Sequence, residues 1–286
     1  MSTVAVVSPG AMGSALAAAL SQGAARVVAT LDGRSERTKR LASAASLELL
    51  PDLASVVREA DVVLSILPPE AARSAAADVA RAARAEGVSP LLVELNAVAP
   101  ATARAIAAAS AEAGLDLVDA SISGPPPWNA GTTRVYLSGP RAREISALPF
   151  EGVDLIVVGG EVGAASAVKM STASVYKGTT AVLAQALLAA HANGVLEHVV
   201  ADLHAAAPEL VERVARRLAV AATKAHRYVG EMREISVTQE SVGLTPALFR
   251  AMAEIYETQA ETPLARESPE EVPAQPVLEE VLDGLR

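Results

Sequence analysis

Short runs of aliphatic and β-branched residues alternate with alanine-rich helical runs up to about Val158, and this alternation restricts the possible folds more than any other feature. Strands that alternate with helices predict βαβ units and a parallel sheet. Several strand runs are apolar on both faces, as a sheet covered by helices on both sides requires. The predicted strands are Val4–Val7, Arg26–Leu31, Asp61–Leu67, Leu91–Leu95, Leu115–Asp119, Arg134–Ser138 and Val153–Val158. The predicted helices are Gly10–Gln22, Glu36–Ala44, a short one opened by Pro51-Asp52, Glu70–Ala85, Pro100–Ala113 and Pro140–Leu148.

The pattern changes after Gly159-Gly160, where strand signals end and long helical periods begin. We therefore predict an α/β domain over residues 1–160 and an all-α domain over residues 161–286. The helices expected in the second domain are Glu161–Asn193, Pro208–Tyr228, Gly230–Val242 and one opened by Thr245-Pro246 as N-cap and first helical residue. The segment Glu261–Gln275 is rich in Glu and Pro with few apolar residues, which predicts an extended or mobile connection. The last ten residues either form a docking helix or fray.

Composition and charge exclude several classes of function. A net charge of -9 disfavours a duplex nucleic-acid partner, because that binding depends on Lys and Arg at phosphates. The chain has no Cys and four His, none of them in an i, i+4 pair, so we expect neither a disulfide nor a metal site. The long nearly uncharged stretch 178–196 contains Gln185, His191 and Asn193, which are poorly suited to a membrane span. With no basic segment before Val4, we expect no signal peptide and a cytoplasmic protein.

The first strand leads directly into a glycine turn and the start of a helix, where a Rossmann phosphate site belongs. This predicts that the first domain is a Rossmann domain with a doubly wound, mostly parallel sheet, followed by the all-α domain. Ser8 takes the place of the first glycine of GxGxxG, while the second and third glycines are present. The residues predicted to contact the cofactor phosphates are Ser8, Pro9, Gly10, Ala11, Met12 and Gly13. The alternative is an ordinary βα turn.

The second strand ends about 20 residues further on, where a dinucleotide-binding domain contacts the adenosine ribose. An acidic residue there favours NAD, whereas an arginine favours the 2'-phosphate of NADP, and both Asp32 and Arg34 are present. The guanidinium of Arg34, with the hydroxyls of Thr30 and Ser35, suits a phosphate. We therefore favour NADP(H) over NAD(H). The alternative is that Arg34 and Ser35 only open a helix, with Ser35 as its N-cap.

Four segments together resemble the β-hydroxyacid dehydrogenase superfamily, which includes 3-hydroxyisobutyrate and 6-phosphogluconate dehydrogenases. They are Gly10–Gly13, Ser65–Pro68, Asp119–Gly124 and the run from Gly159 to Lys169, and the resemblance extends to about Gln259. It implies an oxidoreductase that transfers a hydride between a nicotinamide and a small β-hydroxy acid, or a related carbonyl or alcohol substrate. It also implies that Leu67, Pro68 and Asn96 contact the cofactor.

The segment Asp119–Gly124 matches the family's substrate loop, Asp-Ala-Pro-Val-Ser-Gly, with serine in place of proline at position 121. The resemblance implies that Ser121, Ile122, Ser123 and Gly124 lie against the substrate. By that match the hydroxyl of Ser123 and the backbone N-H groups hold a carboxylate. The alternative is that Ser-Gly-Pro-Pro-Pro is simply a rigid turn.

Lys169 matches the family's catalytic lysine. A cation beside the substrate oxygen stabilises a developing alkoxide and transfers its proton. The family commonly carries Asn three and four positions later, where this chain has Thr172 and Ala173. Helical spacing places residues 169, 172, 173 and 176 on one face, with 177 at its edge. We therefore expect Thr172, Tyr176 or Lys177 to supply the missing substrate hydrogen bonds, and the alternative for Lys169 is a solvated surface lysine.

The run Ala225–Ile235, followed by Gly243–Pro246, resembles a less characterised branch of the superfamily whose C-terminal domain has no assigned function. Glu231, with Arg227 and Glu234, either lines the substrate cleft or forms a structural ion network. The resemblance also implies a homodimer formed through the helical domain. Two other functions stay open: an NADPH-dependent imine reductase, which the presence of Lys169 disfavours, and a non-catalytic NADPH-binding protein.

Overall fold

The computed structural model describes residues 2–45 and 47–286 of the 286-residue chain. The chain forms two compact units, one up to Met170 and one from Ser171 onward. Across the described residues, no helix has both the length and the apolar character that crossing a membrane demands.

An eight-stranded, mostly parallel sheet forms the first unit, which confirms the predicted fold class. Its strands are β1 Thr3–Val7, β2 Arg26–Ala29, β3 Glu48–Leu49, β4 Val62–Ser65, β5 Leu91–Glu94, β6 Leu117–Ser123, β7 Thr133–Ser138 and β8 Val153–Gly159. The strand order is β3-β2-β1-β4-β5-β6-β7-β8, and β7 runs antiparallel to β6. The order reverses between β1 and β4, and ligands of such sheets bind at the carboxyl ends of the strands beside that point.

Helices cover both faces of this sheet. They are α1 Ala11–Gln22, α2 Glu36–Ala44, α3 Leu53–Glu59, α4 Ala72–Glu86, α5 Pro100–Glu112 and α6 Ala142–Ser146, with a 3₁₀ turn at Pro69–Ala71. Successive side chains of a strand point to opposite faces. Val4 and Val6 accordingly join one hydrophobic cluster, while Ala5 and Val7 join another.

Two strand predictions were wrong. β3 was not predicted, and its two residues Glu48 and Leu49 are both exposed, so its sequence carries no apolar run. The strand expected to end at Asp119 continues to Ser123. This extension depends on pairing with β7, in which Ser123 lies opposite Arg134. β7 is the next strand of the chain, so the extension reflects pairing across the connection 124–132 and not the residue pattern within β6 alone.

Helix α7, Ala164–Ala192, contributes residues to both units, and the second unit consists of helices and their connections without a strand among its described residues. Its further helices are α8 Leu196–Ala206, α9 Pro208–Val211, α10 Val214–Ala222, α11 Ala225–Ser241, α12 Ala247–Ala260 and α13 Leu278–Gly284, with a 3₁₀ turn at Pro263–Arg266. The single helix predicted from Pro208 to Tyr228 was wrong. α9 ends at Val211 with Glu212 as its C-cap, and Arg213, the N-cap of α10, has a positive φ of 52°, a left-handed conformation that interrupts the helix.

Three other details of this unit differ from prediction. α8 was not predicted, and α11 runs without interruption through the buried Gly230. The N-cap of α12 is Pro246, one residue later than expected, so the helix begins at Ala247. The last residues form the docking helix rather than a frayed end, because Val281, Leu282 and Leu285 are buried in one cluster with Leu187 and Leu218.

Candidate functional site

The turn between β1 and α1 has the backbone geometry of a phosphate site, although Ser8 replaces its first glycine. Ser8 has a positive φ of 68°, a conformation that glycine adopts without steric cost. A Cβ on Gly13 would lie 2.6 Å from the Ser8 carbonyl oxygen, so glycine is required there for α1 to pack against the turn. A Cβ on Gly10 would meet no described heavy atom within 4 Å, and the backbone at Gly10 is therefore open to a ligand.

Two hydrogen bonds hold this turn in place. Gly10 N donates to Ser8 O over 2.8 Å, and Ser14 Oγ donates to Pro9 O over 2.6 Å. Gly10 is the N-cap of α1 and offers no side-chain acceptor to the first turn, which contains Ala11 and Met12. Backbone N-H groups at such a helix start are suited to binding phosphate.

A cleft of about 220 Å³ lies at the carboxyl end of β2. Its lining residues are Val6, Val7, Thr30, Asp32, Arg34, Leu53, Val56, Leu67, Ala71, Ser74, Ala75 and Asp78. Arg34 is half-buried, and its Nε is shielded from solvent without a hydrogen-bond partner in residues 2–45 and 47–286. Buried donors are normally paired, so an anionic ligand oxygen in the cleft would satisfy this one.

Thr30 and Ser35, also predicted to contact the ribose or its phosphate, already have local partners. Thr30 Oγ1 donates to Pro51 O and accepts from Asp32 N, both over 3.2 Å. Ser35 Oγ accepts from Thr38 N over 3.3 Å, so Ser35 is the N-cap of α2.

A buried polar network links the ends of β4 and β5. Asn96 Oδ1 accepts a hydrogen bond from Leu67 N, and Asn96 Nδ2 donates to Ser65 Oγ over 3.1 Å. Asn96 N in turn donates to Glu94 Oε1 over 2.8 Å. Leu67 also lines the cleft, and the exposed Pro68 follows it. The structure therefore brings the predicted cofactor residues Leu67 and Asn96 together.

Four polar residues form a row across this part of the sheet. Ser65 on β4 pairs in register with Glu94 on β5, Glu94 with Asp119 on β6, and Asp119 with Ser138 on β7. All four are fully buried. Burial raises the pKa of Glu94 to about 8, and the charge of Asp119 adds to the effect, while hydrogen bonds from Asn96 and Ser65 oppose it. Glu94 is therefore protonated at neutral pH.

Asp119 joins β6 to the start of α7. Its Oδ2 accepts from Ser138 Oγ at 2.8 Å, from Gly163 N at 2.9 Å and from Ser166 N at 3.1 Å, and its Oδ1 accepts from Ser166 Oγ at 2.6 Å. Ser138 Oγ accepts from Ala165 N over 3.0 Å. These acceptors satisfy the first N-H groups of α7, and the carboxylate is favourably placed at the positive end of the helix dipole.

The predicted substrate loop and Lys169 come together at the end of β6. Ser121 is buried, and its Oγ donates to Ala165 O over 2.7 Å. Lys169 lies one helical turn after Ala165, and its Nζ donates to Ile122 O over 2.8 Å. Lys169 is half-buried, so this structure does not support a fully solvated lysine. The hydroxyl proton of Ser121 is used within the protein, which assigns it a role in fixing α7.

Ser123 and Gly124 close this segment. Ser123 is half-buried and is the last residue of the ladder with β7. Gly124 is exposed and has a φ of 119°. A Cβ there would lie 2.3 Å from Thr132 O, so the position requires glycine.

The remaining predicted substrate residues lie in the second unit. Thr172 is half-buried, and Tyr176 is 70% exposed. Lys177 forms an ion pair with the buried Glu231, and its Nζ lies 4.2 Å from the centre of the Tyr228 ring. Tyr256 Oη donates to Lys177 O over 2.7 Å. These contacts support the structural ion network for Glu231.

Two features of these sites escaped the sequence interpretation. The polar row containing Glu94 and Asp119 depends on the register of strands that lie far apart in sequence. The ring contact between Tyr228 and Tyr256, edge to face at 5.2 Å, depends on the packing of α11 against α12. The acidic residues inside otherwise apolar strands, Glu94 and Asp119, were the available sequence signal for the first feature.

Two families match the chain in succession. The NAD binding domain of 6-phosphogluconate dehydrogenase matches residues 3–139, and a domain of unknown function, DUF1932, matches residues 190–259. The first match contains the glycine turn, the cleft and the segment Asp119–Gly124, and the second contains Glu231. Both matches agree with the resemblance of the chain to the β-hydroxyacid dehydrogenase superfamily. The DUF1932 match agrees with the resemblance to the branch whose C-terminal domain has no assigned function.

Solved structures of similar fold include superfamily members and imine reductases. A conserved hypothetical protein from Sinorhizobium meliloti is 28% identical, with all of this chain and 97% of that chain covered and a TM-score of 0.67. The 3-hydroxyisobutyrate dehydrogenase of Mycobacterium tuberculosis, solved with L-serine, is 21% identical over 100% and 99% of the two chains, with a TM-score of 0.68. An imine reductase from Myxococcus stipitatus in complex with NADP+ is 18% identical over 99% and 100%, with a TM-score of 0.56. At the last two identities the likeness concerns the fold alone.

A curated relative from Methanothermus fervidus is described as an uncharacterised 28.5 kDa protein in the 7S RNA 5' region. It is 29% identical over 165 residues, which make up 58% of this chain. The match spans 62% of that relative's length.

Proposed function

We propose that this chain is an NADP(H)-dependent oxidoreductase that transfers a hydride between the nicotinamide and a small β-hydroxy acid or related carbonyl or alcohol substrate. The observation that carries this proposal is the contact between Lys169 Nζ and Ile122 O at the carboxyl end of β6. It fixes a cation beside the segment that resembles the family's substrate loop, in the unit that contains the NAD-binding domain.

Residues of the first unit fit the cofactor. Gly10 and the start of α1 offer open backbone for the pyrophosphate, and Gly13 permits the close packing that this requires. The unpartnered Nε of Arg34 in the cleft supports a 2'-phosphate, and therefore NADP(H). Asp32 lines the same cleft and is the residue that would favour NAD(H) instead. The remaining predicted cofactor residues are Leu67, Pro68 and Asn96, which lie near the point where the strand order reverses between β1 and β4.

Lys169 carries out the proton chemistry in this proposal. When bound, the nicotinamide supplies or accepts the hydride at the substrate carbon. During reduction the ammonium of Lys169 stabilises negative charge on the substrate oxygen and gives it a proton, and during oxidation the neutral amine takes that proton back. An ammonium has three N-H donors, and the bond to Ile122 O fixes its direction.

The substrate carboxylate is assigned to Ser123 and Gly124. The positive φ of Gly124 and the barrier to a Cβ there support a backbone N-H donor at this position. Thr172 and Tyr176 are assigned to the remaining polar groups of the substrate. Lys177 is the weakest member of the predicted set, because its ammonium is already paired with Glu231.

A fluorescence titration with NADPH and NADH tests the cofactor assignment. Wild type is expected to bind NADPH at least about tenfold more tightly, and Arg34→Ala to lose that preference while keeping its NADH affinity within about twofold, because a charge-assisted hydrogen bond contributes roughly 1.5–3 kcal/mol. Arg143→Ala removes the same charge from an exposed position on α6 and serves as the control. Equal or tighter binding of NADH would indicate that Asp32, and not Arg34, determines the cofactor preference.

Turnover is tested with small β-hydroxy acids, the matching aldehydes and keto acids, and cyclic imines, followed by NADPH absorbance. Activity on the first two groups supports the dehydrogenase. Turnover confined to imines would reassign the chain as an imine reductase. Tight NADPH binding without turnover or ligand-dependent fluorescence changes would identify a non-catalytic binding protein, and binding of neither nucleotide would reject the oxidoreductase.

We also propose that the chain forms a homodimer through its helical unit. Val175 and Val182 lie two helical turns apart on α7 and are 63% and 55% exposed, which leaves an apolar strip on this helix. Light scattering at micromolar concentration is expected to give twice the 29.2 kDa chain mass. A monomer mass at that concentration would reject this state.

A further inference from the structure

Glu94 has no assigned part in hydride transfer, yet it is fully buried at the carboxyl end of a central strand. Its Oε1 accepts from Asn96 N over 2.8 Å, and its Oε2 is buried without a hydrogen-bond partner in the described residues. Its polar surroundings are Ser65 on β4, Asn96 after β5, and Asp119 on β6. Asp119 is the charged group that faces it from a neighbouring strand.

The two carboxyl groups differ in how they are solvated. Asp119 accepts four hydrogen bonds, from Ser138, Gly163 and both the N and Oγ of Ser166. Glu94 has fewer donors: its Oε1 accepts from Asn96 N, the side chains of Ser65 and Asn96 also hydrogen-bond to the carboxyl group, and its Oε2 is buried without a partner in the described residues. A buried carboxylate needs several donors, so the charge belongs on Asp119 and the proton on Glu94.

The network leads from Glu94 to the cleft in two steps. Glu94 Oε1 fixes the backbone of Asn96, and the side chain of Asn96 binds both Leu67 N and Ser65 Oγ. Leu67 lines the cleft together with Arg34. The Ser65–Leu67 segment has direct backbone contact with β1, through Ile66 N to Val7 O at 3.4 Å. Glu94 is thus linked through Asn96 to Leu67, which forms part of the wall of the cleft.

We propose that neutral Glu94 is a positioning residue for nucleotide binding, which holds Leu67 in place through Asn96, and that a negative charge on Glu94 beside Asp119 loosens this wall. This inference rests on the proposed function, because the nucleotide is the ligand of the cleft. Burial raises the pKa of Glu94 to about 8, so loss of the proton falls within an accessible pH range.

The test is the NADPH affinity between pH 7 and pH 9 for wild type, Glu94→Gln and Glu112→Gln. The amide of Gln keeps an oxygen for Asn96 N but takes on no charge, and Glu112 is an exposed control on α5. In wild type and Glu112→Gln the affinity is expected to fall about tenfold over this range, by proton linkage to a group with a pKa near 8. In Glu94→Gln it is expected to stay within about twofold. Circular dichroism at each pH verifies that every protein is folded.

A third variant, Asn96→Ala, tests the link from Glu94 to Leu67 through the pH dependence of NADPH binding, since Asn96 is itself assigned to the cofactor residues. It removes the link to Leu67 while leaving Glu94 in place, so NADPH binding is expected to weaken at every pH and its dependence on pH to shrink. Equal pH profiles in wild type and Glu94→Gln would overturn the inference while leaving the proposed function intact. Absence of NADPH binding at every pH would instead reject the proposed function.

Discussion

Lys169 Nζ donates a hydrogen bond of 2.8 Å to the carbonyl oxygen of Ile122, and this contact joins the first turns of α7 to the end of β6. Two other contacts hold the same junction: Ser121 Oγ to Ala165 O, and Ser166 Oγ to Asp119 Oδ1. Buried contacts therefore hold both α7, which carries the ammonium, and β6, which accepts its hydrogen bond. A group held in this way needs little reorganisation when charge develops beside it.

Lys169→Ala is expected to lower kcat by about 10²- to 10⁴-fold, the range of a lost general acid or base. The NADPH dissociation constant is expected to change less than about threefold, because no assigned cofactor contact involves this side chain. Steady-state kinetics on the substrate found in the screen, with a parallel NADPH titration, measures both quantities. Lys169→Arg keeps a donor for Ile122 O but does not release its proton. It is therefore expected to restore the contact with the predicted substrate loop and to show little turnover. A near-normal kcat in either variant would contradict the role of Lys169 as proton donor and acceptor.

Gly13→Ala and Gly10→Ala form a matched pair at the glycine turn. A Cβ at position 13 lies 2.6 Å from Ser8 O, so this variant is expected to lose about 1–3 kcal/mol of stability together with NADPH affinity. Position 10 has space for a methyl group and an ordinary φ of -72°, so Gly10→Ala is expected to keep the stability of wild type and lose affinity alone. Urea unfolding and NADPH titration separate the two effects. Unchanged affinity in Gly10→Ala would show that the pyrophosphate does not approach this backbone.

The sequence was sufficient for features that depend on local pattern. β1, the glycine turn and α1 follow from an apolar run and two glycines, and α2 was located to the residue because Ser35 is a good N-cap. β3 was missed because Glu48 and Leu49 are stabilised by a neighbouring strand rather than by their own pattern. The break at Arg213 depends on a left-handed backbone that no sequence signal marks at a non-glycine residue.

The sequence likewise predicted only part of the candidate site, because the rest depends on contacts between residues that are far apart in the chain. Lys169 and the segment Ser121–Gly124 were identified by resemblance, and the structure brings Lys169 to Ile122. The polar row through Glu94 and Asp119 required knowledge that β4, β5, β6 and β7 are neighbours in that order. The pairing of Lys177 with Glu231 likewise arises from the packing of helices far apart in sequence, and helical spacing within α7 gives no indication of it.

The stability of the protein is expected to fall as pH rises from about 4.5 to about 8, through the burial of Glu94. Its pKa is raised from the ordinary value of 4.5 to about 8 in the folded chain, so within this window the native state holds a proton that the unfolded state has released. Each pH unit in that window costs up to about 1.4 kcal/mol from this group. Urea unfolding at several pH values compares wild type with Glu94→Gln, in which this slope is expected to disappear. Parallel slopes in the two proteins would show that Glu94 is charged in the native state.

Lys177 and Glu231 supply a test of whether the second unit uses this pair for structure or for the substrate. The side chains are 15% and 4% exposed, so removing either partner leaves a buried charge uncompensated, and Lys177→Met or Glu231→Leu alone is expected to cost about 3–5 kcal/mol. The double variant removes both charges and is expected to regain most of that stability, since apolar pairs of similar volume replace buried ion pairs well. Unfolding free energies give the coupling through a double-mutant cycle. A double variant that is stable and keeps its KM confines the pair to structure, whereas one that is stable with a KM raised tenfold or more returns Lys177 to the substrate site.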